Sequence, residues 1–374
     1  MATKKVSRRR AAADDVAAPL KFEEISRVFR SRKAGKAADQ MLELSFFVAG
    51  KGPSVKVISN QQGENYKVDL QIRGSIIGQH SFPPAIKTVR LAAGRTLMDP
   101  GANAQVLSAY APDHLDLRTI PQKLGKKLAA PPRIDALRKL KKGENQATTV
   151  FNPENRYIFN DTAYPWSSAG RVDTPNGTGS GVMIGPRHLL TCSHVIQWLP
   201  GNTAGWVKFT PSYFNGSAPF GIAWGTLIYW DAVKVTPPTI SWSEGQHDYV
   251  CVVLDRRIGD LTGWMGSRGY TDSWDGGQYW SHIGYPGDLS SSERPSFEGS
   301  IALDGTSQPD EHQNILHRGD VWPGQSGGPF FGWWSGDVGP RAVSVQSWQN
   351  SSDNGASGGQ HMVDLVIRAR NENP

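Results

Sequence analysis

Ser326 stands in the stretch Gly-Gln-Ser-Gly-Gly-Pro at residues 324–329, which has the residue types that a nucleophile and an oxyanion hole require. Glycine tolerates backbone conformations in which the N–H groups of Gly324 and Ser326 converge on one developing oxyanion. The small neighbours also leave room for a substrate carbonyl at Ser326 Oγ. The stretch predicts a nucleophile for acyl transfer, and its plainer interpretation is an ordinary glycine-rich turn.

Two upstream residues could complete a catalytic triad with this serine. His194 ends the apolar strand predicted at 189–194, and Asp248 opens another apolar strand predicted at 248–254. The chain order His, Asp, Ser is one of the three common orders of such triads. In this arrangement Ser326 attacks a carbonyl, His194 takes its proton, and Asp248 holds the imidazole tautomer and stabilises its cation.

Other residues compete for the two supporting roles. His188 lies in the middle of a predicted strand, and His247 lies in a polar turn. Asp255, at the far end of the strand that Asp248 opens, and Asp231 are the alternatives for the carboxylate. The positions of His194 and Asp248 at strand ends favour them over these rivals.

Residues 150 to about 367 resemble the trypsin-like (chymotrypsin-group) serine peptidases, and most closely their bacterial glutamyl-endopeptidase branch. Four segments carry the resemblance by content, order and spacing: 160–166, 191–194, 284–288 and 320–329. The resemblance implies an all-β double barrel with the catalytic residues in the cleft between the barrels. It does not extend to the first 149 residues.

The resemblance also implies substrate-binding residues. Asp320 occupies the position that forms the floor of the primary pocket in trypsin, although glutamyl-type relatives also carry an acid there. Glutamate-specific relatives have a histidine where this chain has Gln346, so the preferred residue before the scissile bond stays open. The backbone of Ser347, Trp348 and Gln349 is expected to pair with an extended substrate as an added strand.

The resemblance further indicates a precursor. Gln325 replaces the aspartate that pairs with a new N-terminus in animal trypsins, so that activation switch is absent. In the glutamyl-endopeptidase branch an N-terminal propeptide is removed, and the mature start resembles residues 150–153 of this chain (Val-Phe-Asn-Pro).

Charge divides the 374 residues into two unlike parts. Residues 1–149 carry 27 Lys and Arg against 13 Asp and Glu, a net charge of +14, whereas residues 150–374 carry −8. Opposite charges predict a salt-sensitive contact between a basic N-terminal segment and an acidic peptidase domain. The alternatives for this segment are an independent binding domain or a nucleic-acid-binding tail. We expect no nucleic acid, because few aromatic residues interleave the basic ones.

Hydrophobic patterning predicts four parts of the chain. They are a disordered basic tail at 1–20, a small α+β segment and possible propeptide at 21–110, a basic linker at 111–149, and the trypsin-like peptidase domain at 150–374. The small segment is expected to hold a helix from Phe22 and strands at 42–48, 54–59, 66–72 and 88–91. In the last part of the chain, 342–348 and 361–367 are predicted to be two paired strands behind the nucleophile.

Several further classes of protein are disfavoured. Cys192 and Cys251 are predicted to be free, buried thiols on neighbouring strands, with a bond between them as the alternative. We expect no metal and no cofactor, because no Cys/His cluster has metal-ligand spacing. No run of 18 apolar residues indicates a membrane span. The basic N-terminus lacks the apolar core of a signal peptide, so the compartment is open: secreted from the resemblance, or cytoplasmic.

The sequence therefore predicts a serine endopeptidase that acts on protein or peptide substrates. A catalytically silent peptide-binding protein on the same fold is one alternative. A non-peptide acyl hydrolase with the same triad is another.

Overall fold

The computed structural model describes residues 17–34, 47–62, 65–77, 85–91, 106–124, 150–151, 153–305, 311–350 and 352–374, with the backbone only for 47–62 and 65–77. It divides the chain into two compact units, one of Met1–Gly35 with Ala85–Pro374 and one of Lys36–Pro84.

The described residues form nineteen strands and five short to medium helices. The strands are β1 (Phe47–Gln62), β2 (Asn65–Ile77), β3 (Ile86–Arg90), β4 (Tyr157–Ile158), β5 (Ala169–Thr174), β6 (Gly177–Gly185), β7 (His188–Thr191), β8 (Trp198–Leu199), β9 (Thr203–Ala204), β10 (Lys208–Pro211), β11 (Ala223–Trp230), β12 (Val250–Leu254), β13 (Gly266–Ser267), β14 (Gln278–Gly284), β15 (Ser296–Asp304), β16 (Gln313–His317), β17 (Pro329–Gly332), β18 (Arg341–Gln349) and β19 (Asn354–Gly358). The helices are α1 (Phe22–Val28), α2 (Trp242–Gly245), α3 (Gly259–Thr262), α4 (Gly287–Ser290) and α5 (Gln360–Glu372), with 3-10 turns at Trp166–Ser168, Ser193–Val195 and Asp272–Trp274.

Six antiparallel strands close the first barrel in the order β10, β5, β6, β7, β12, β11, and β11 pairs again with β10. Every residue of β12, Val-Cys-Val-Val-Leu, is buried. One face of this strand points into the barrel, and α5 packs against the opposite face from outside. A strand covered on both faces has a continuous apolar sequence rather than an alternating one.

Six more antiparallel strands close the second barrel in the order β18, β17, β14, β15, β16, β19, with β19 returning to β18. An aromatic cluster fills part of its core, including Trp274, Trp280 and Trp334, whose rings lie 5.6 to 6.0 Å apart. The predicted all-β double barrel is confirmed.

The register of β7 against β12 brings two of the predicted catalytic residues together. Val250 pairs with Thr191, and the strands run antiparallel. Residues just after β7 therefore lie beside residues just before β12, which places His194 near Asp248. The same pairing sets Cys251 opposite Leu190, and both cysteines are buried and free, as predicted.

One predicted strand is wrong. Residues 361–367 form part of helix α5, and the partner of β18 is β19. The run Met-Val-Asp-Leu-Val-Ile has a high strand propensity, but its residues are buried in a helix of thirteen residues that packs against strands of the first barrel. Gly359, at φ +104°, separates β19 from this helix, in a conformation that favours glycine.

The described N-terminal residues belong to two units, and each unit has its own secondary structure. In the unit of Lys36–Pro84, β1 and β2 form an antiparallel hairpin that contains the strands predicted at 54–59 and 66–72. In the other unit, α1 begins at Phe22 as predicted, and β3 adds in parallel to β11 of the first barrel.

Residues 17–20 are ordered, although the sequence predicts a disordered tail at 1–20. Trp334 Nε1 donates a hydrogen bond to Ala17 O, and Leu20 N donates one to Trp333 O, so these residues lie on the second barrel. The predictions for residues 1–16, 42–46 and 125–149 fall outside the described residues. Among the helices that the structure describes, none is long and apolar enough to cross a membrane.

Candidate active site

His194 and Asp248 form a hydrogen-bonded pair in the first barrel. His194 lies in the 3-10 turn that follows β7, and its Nδ1 is 2.7 Å from Asp248 Oδ2. The backbone N–H of His194 also donates to Asp248 Oδ1 at 2.8 Å. Because both carboxylate oxygens hold the same residue, the imidazole has a fixed orientation and Nδ1 carries its proton toward Asp248.

Ser347 adds a third donor to this carboxylate. Its Oγ lies 2.6 Å from Asp248 Oδ2, and Asp248 is fully buried. A bulge in β18 between Gln346 and Trp348 interrupts the pairing with β19 at Ser347. We expected only the backbone of Ser347 to act, in substrate binding; the side-chain contact with Asp248 was not foreseen from the sequence.

The surroundings of His194 change its proton affinity. Burial alone lowers the pKa of its imidazole, but the contacts with Cys192 and Asp248 raise the pKa well above its ordinary value. Burial raises the pKa of the Cys192 thiol, so this group is protonated at neutral pH. Since a protonated thiol carries no charge, Asp248 is the charged neighbour that raises the pKa of His194.

Ser326 lies in the loop between β16 and β17, in the second barrel. Gly324 has φ +102° and Gly327 has φ +82°, and a Cβ at either position would collide with neighbouring atoms, at Gly327 with Thr191 Oγ1 and Ser180 O. These glycines are thus required by the loop conformation and by its close approach to the first barrel. Ser180 N also donates to Ser326 O at 2.7 Å, which joins the two barrels at the nucleophile.

The backbone N–H groups of Gly324 and Ser326 are free for a substrate oxyanion. Neither has a hydrogen-bond acceptor among the described residues, whereas the N–H of Gln325 between them donates to Trp322 O. Two unpaired donors beside a serine hydroxyl have the arrangement that stabilises a tetrahedral oxyanion.

One cavity of about 580 Å³ is lined by both His194 and Ser326. No hydrogen bond joins Ser326 Oγ to His194 in the described structure; His194 Nε2 lies 3.7 Å from Cys192 Sγ. Contacts between nucleophile and base are often long without substrate and shorten when substrate binds. His194 and Ser326 thus line one cavity, and the unpaired N–H groups of Gly324 and Ser326 belong to the loop beside it.

Aromatic and proline side chains form much of the cavity wall. Ser347, Trp348 and Gln349 line it, as the resemblance implies. Trp242 packs against Trp348 with tilted rings, their centroids 5.8 Å apart, and is 52% exposed. The sequence offered no signal for Trp242, because it comes from the distant helix α2.

Asp320 does not line this cavity. It is fully buried, and its carboxylate accepts hydrogen bonds from Phe151 N at 2.6 Å and Asn155 N at 2.8 Å. The carboxylate points to the N–H groups of Phe151 and Asn155, which need an acceptor; its predicted role at the pocket floor stays a prediction. Gln346 does line the cavity, and its side chain lies 2.9 Å from His317 Nε2.

Arg156 supports the loop of the nucleophile. Its buried guanidinium pairs with Asp288 at 2.6 Å and Glu154 at 2.7 Å and donates to Gln325 Oε1 at 2.6 Å. Gln325 directly precedes Ser326, so Arg156 ties the segment near the predicted mature start to the nucleophile. Nothing in the sequence signals this contact, because Arg156 and Gln325 are 169 residues apart in the chain.

The rival residues have other partners. His188 Nε2 lies 3.2 Å from Ala369 O in α5, and Asp255 accepts from Trp224 N. His247 Nδ1 lies 2.8 Å from Asp231 Oδ2, a second His–Asp pair away from the serine. The structure thus brings His194, Asp248 and Ser326 to one cleft and leaves the alternatives outside it.

Part of the chain is similar to known peptidases. Residues 179–338 match the model of the trypsin-like peptidase domain. A glutamyl endopeptidase of Bacillus licheniformis is 28% identical over 187 residues, which are 49% of this chain and 54% of that protein. The chain thus spans about half the length of this curated relative.

Solved structures of similar proteins include a Glu endopeptidase in complex with MPD, with 20% identity and a TM-score of 0.48 over 60% of this chain and all of that one. Another is the protease Anisep from Arthrobacter nicotinovorans, with 21% identity and a TM-score of 0.38 over 55% of this chain and 93% of that one.

Proposed function

Because residues 179–338 match the model of the trypsin-like peptidase domain, we propose that the chain is a serine endopeptidase with His194, Asp248 and Ser326 as its triad. The observation that carries this proposal is the shared cavity, in which an imidazole oriented by Asp248 meets a serine flanked by two free N–H groups.

The reaction follows from these groups. Ser326 Oγ attacks the peptide carbonyl while His194 Nε2 takes its proton, and the N–H groups of Gly324 and Ser326 hold the oxyanion. His194 then gives the proton to the leaving amine, which leaves an acyl ester on Ser326. A water molecule, deprotonated by His194, hydrolyses that ester and restores the enzyme.

The substrate is proposed to be an extended protein or peptide segment. The end of β18 passes along the cavity, and an added strand bonds through backbone groups that every peptide has. Trp242, Trp348 and Ile240 provide an apolar wall for side chains next to the cleaved bond. The position of the end of β18 along the cavity, where a strand can pair, is the reason to prefer peptides over small acyl esters.

A fluorophosphonate probe tests the nucleophile directly. The wild-type chain should become labelled at Ser326 and Ser326→Ala should not, whereas the exposed Ser243→Ala should label like the wild type. Peptide mapping of a digested, denatured protein should then give discrete internal cleavages. Absence of labelling in the folded wild type would favour the silent peptide-binding alternative, and labelling without peptide cleavage would favour the acyl hydrolase.

We also propose that residues 1 to about 149 are a propeptide that holds the peptidase in a less active form. The net charges of +14 and −8 on the two parts support an electrostatic contribution. Arg118 makes one such contact, a pair of hydrogen bonds to the buried Asp161 at 3.0 and 3.1 Å. The addition of β3 to β11 and the packing of Phe29 on Trp333 at 4.7 Å add contacts that salt does not screen.

Comparison of the wild type with Ser326→Ala tests this second proposal. The wild type should shorten near Val150 and gain activity, while Ser326→Ala should stay at 374 residues if maturation is autocatalytic. Separately produced fragments should associate at low salt and more weakly as the Debye length falls from roughly 10 Å at 0.1 M to 3 Å at 1 M. Full activity in an intact chain, with no salt-dependent association, would identify residues 1–149 as a separate domain.

A further inference from the structure

A second cluster of titratable side chains lies outside the proposed catalytic cleft. Three histidines, His247, His312 and His361, surround the buried carboxylate of Asp231. The ring centroids of His247 and His312 are 4.3 Å apart, and those of His312 and His361 are 4.1 Å apart. The proposed triad uses none of these four residues.

All three imidazoles direct the same ring nitrogen toward the carboxylate. The Nδ1 atoms of His247 and His312 lie 2.8 and 3.2 Å from Asp231 Oδ2, and Nδ1 of His361 lies 3.9 Å from Asp231 Oδ1. In a tetrahedral zinc site with bonds of about 2.0 to 2.1 Å, neighbouring ligand atoms are roughly 3.3 Å apart. The ligand atoms of Asp231, His247 and His312 all lie within 4.8 Å of one another, and Nδ1 of His361, 3.9 Å from Asp231 Oδ1, lies outside that group.

Hydrogen bonds alone leave this cluster incompletely satisfied. Asp231 Oδ2 receives the hydroxyl of Tyr249 at 2.9 Å in addition to contacts with His247 and His312. Nδ1 of His361 is buried and has no hydrogen-bond partner among the described residues. A cation at the centre would give each of the three Nδ1 atoms and the carboxylate a shared partner.

The outer atoms of the ligands also have partners of the kind found in metal sites. The terminal amide of Gln246 lies 3.1 Å from His247 Nε2 and, with its oxygen turned to the ring, accepts the Nε2–H of a histidine that binds metal through Nδ1; Glu311 Oε2 lies 3.8 Å from His361 Nε2. Polar groups of this kind orient the ring of a metal-binding histidine. The side chains of His312 and His361 are each 23% exposed, so an ion can reach the centre from solvent.

From this geometry we propose that Asp231, His247, His312 and His361 bind one Zn²⁺ ion that joins the two barrels to the C-terminal helix. Imidazole with a carboxylate suits Zn²⁺, whereas Ca²⁺ and Mg²⁺ prefer oxygen ligands alone. Asp231 follows β11, His247 precedes β12, His312 precedes β16 and His361 lies in the first turn of α5. The ion therefore links segments that are far apart in the sequence.

The position also relates the ion to the active site. His247 directly precedes Asp248, which orients His194. A bond from the metal to His247 restrains the backbone at the start of β12. Zinc binding is thus expected to stabilise the fold and to limit movement of Asp248, without taking part in the proposed peptide hydrolysis.

Zinc binding to the full-length Ser326→Ala protein tests the proposal, because this variant is not expected to digest itself. After dialysis against a chelator, titration with Zn²⁺ should show one high-affinity site and raise the melting temperature by several degrees. Co²⁺ in its place should give the visible absorption of a tetrahedral site. Mg²⁺ at the same concentration should produce neither effect.

The double substitution His312→Gln with His361→Gln should weaken Zn²⁺ binding by roughly 100-fold or more and abolish the melting-temperature shift, because two of four ligands are lost. His114→Gln, whose imidazole contacts Leu261 O outside the cluster, is the matched control and should bind as the parent does. Asp231→Asn offers a variant of nearly unchanged shape if the double variant unfolds.

Two results would overturn the proposal. One is a folded parent protein that binds no Zn²⁺ in the micromolar range. The other is zinc affinity that survives both the double substitution and Asp231→Asn, which would place the ion elsewhere, such as at Cys192, His194 and Asp248.

Discussion

Ser326→Ala and His194→Ala should each remove nearly all peptide hydrolysis, with losses of kcat/KM on the order of 10⁴ to 10⁶, and the double substitution should add little. In the proposed mechanism Ser326 gives its proton to His194. Without either residue this transfer cannot occur, and the remaining residue no longer contributes to the rate. The oxyanion donors at Gly324 and Ser326 are backbone N–H groups that remain in both variants, and they set the residual rate.

The measurement is initial-rate kinetics on a peptide library, with the same preparations compared by circular dichroism and melting temperature. Ser243→Ala, an exposed substitution outside the cavity lining, is the matched control and should retain its rate. Ordinary turnover by a folded Ser326→Ala protein would end the triad proposal. Strict additivity of the two losses would show that the residues do not act as a unit.

Much of the site could be predicted from the sequence, because its parts are encoded locally. The glycines around Ser326 are required by the turn itself, and His194 and Asp248 stand at the ends of apolar strands. The pairing of β7 with β12 converts those two strand ends into one hydrogen-bonded pair.

Long-range contacts could not be predicted in the same way. The bond from Ser347 to Asp248 depends on a bulge in β18, and the bond from Arg156 to Gln325 joins residues 169 apart in the chain. The resemblance to trypsin implies that Asp320 forms the pocket floor. Its actual partners are the N–H groups of Phe151 and Asn155, which only the folded segment brings within reach.

The error at 361–367 has a related cause. A short apolar run is compatible with a buried strand or a buried helix, and periodicity alone does not distinguish them. The length of thirteen residues and the buried Ala369 identify the helix once the structure shows them. The His–Asp cluster is similarly hidden, because its members at 231, 247, 312 and 361 have no metal-ligand spacing in the sequence.

Asp248→Asn is the prediction with the next largest expected effect, a fall in kcat on the order of 10⁴ with folding retained. The amide keeps the size of the carboxylate, but its charge is lost and it can donate to His194 Nδ1, which leaves the imidazole in the wrong tautomer. Asp248 is also a cause of the raised pKa of His194. Since activity needs the neutral base, the wild-type rate should rise with pH through a pKa above the ordinary value of about 6.5.

In the residual activity of Asp248→Asn the rise with pH should move to lower values, because the imidazole no longer has a carboxylate to stabilise its charged form. Ser347→Ala is the graded comparison: it removes the 2.6 Å hydrogen bond to Asp248 but keeps the charge, so it should cost far less in kcat and move the pKa of His194 much less. Profiles of kcat/KM from pH 5 to 9 for the three proteins measure both effects. If Asp248→Asn kept the wild-type rate and inflection, Asp248 would not be the partner of the base, and the hydrogen bond at 2.7 Å would have only a structural role.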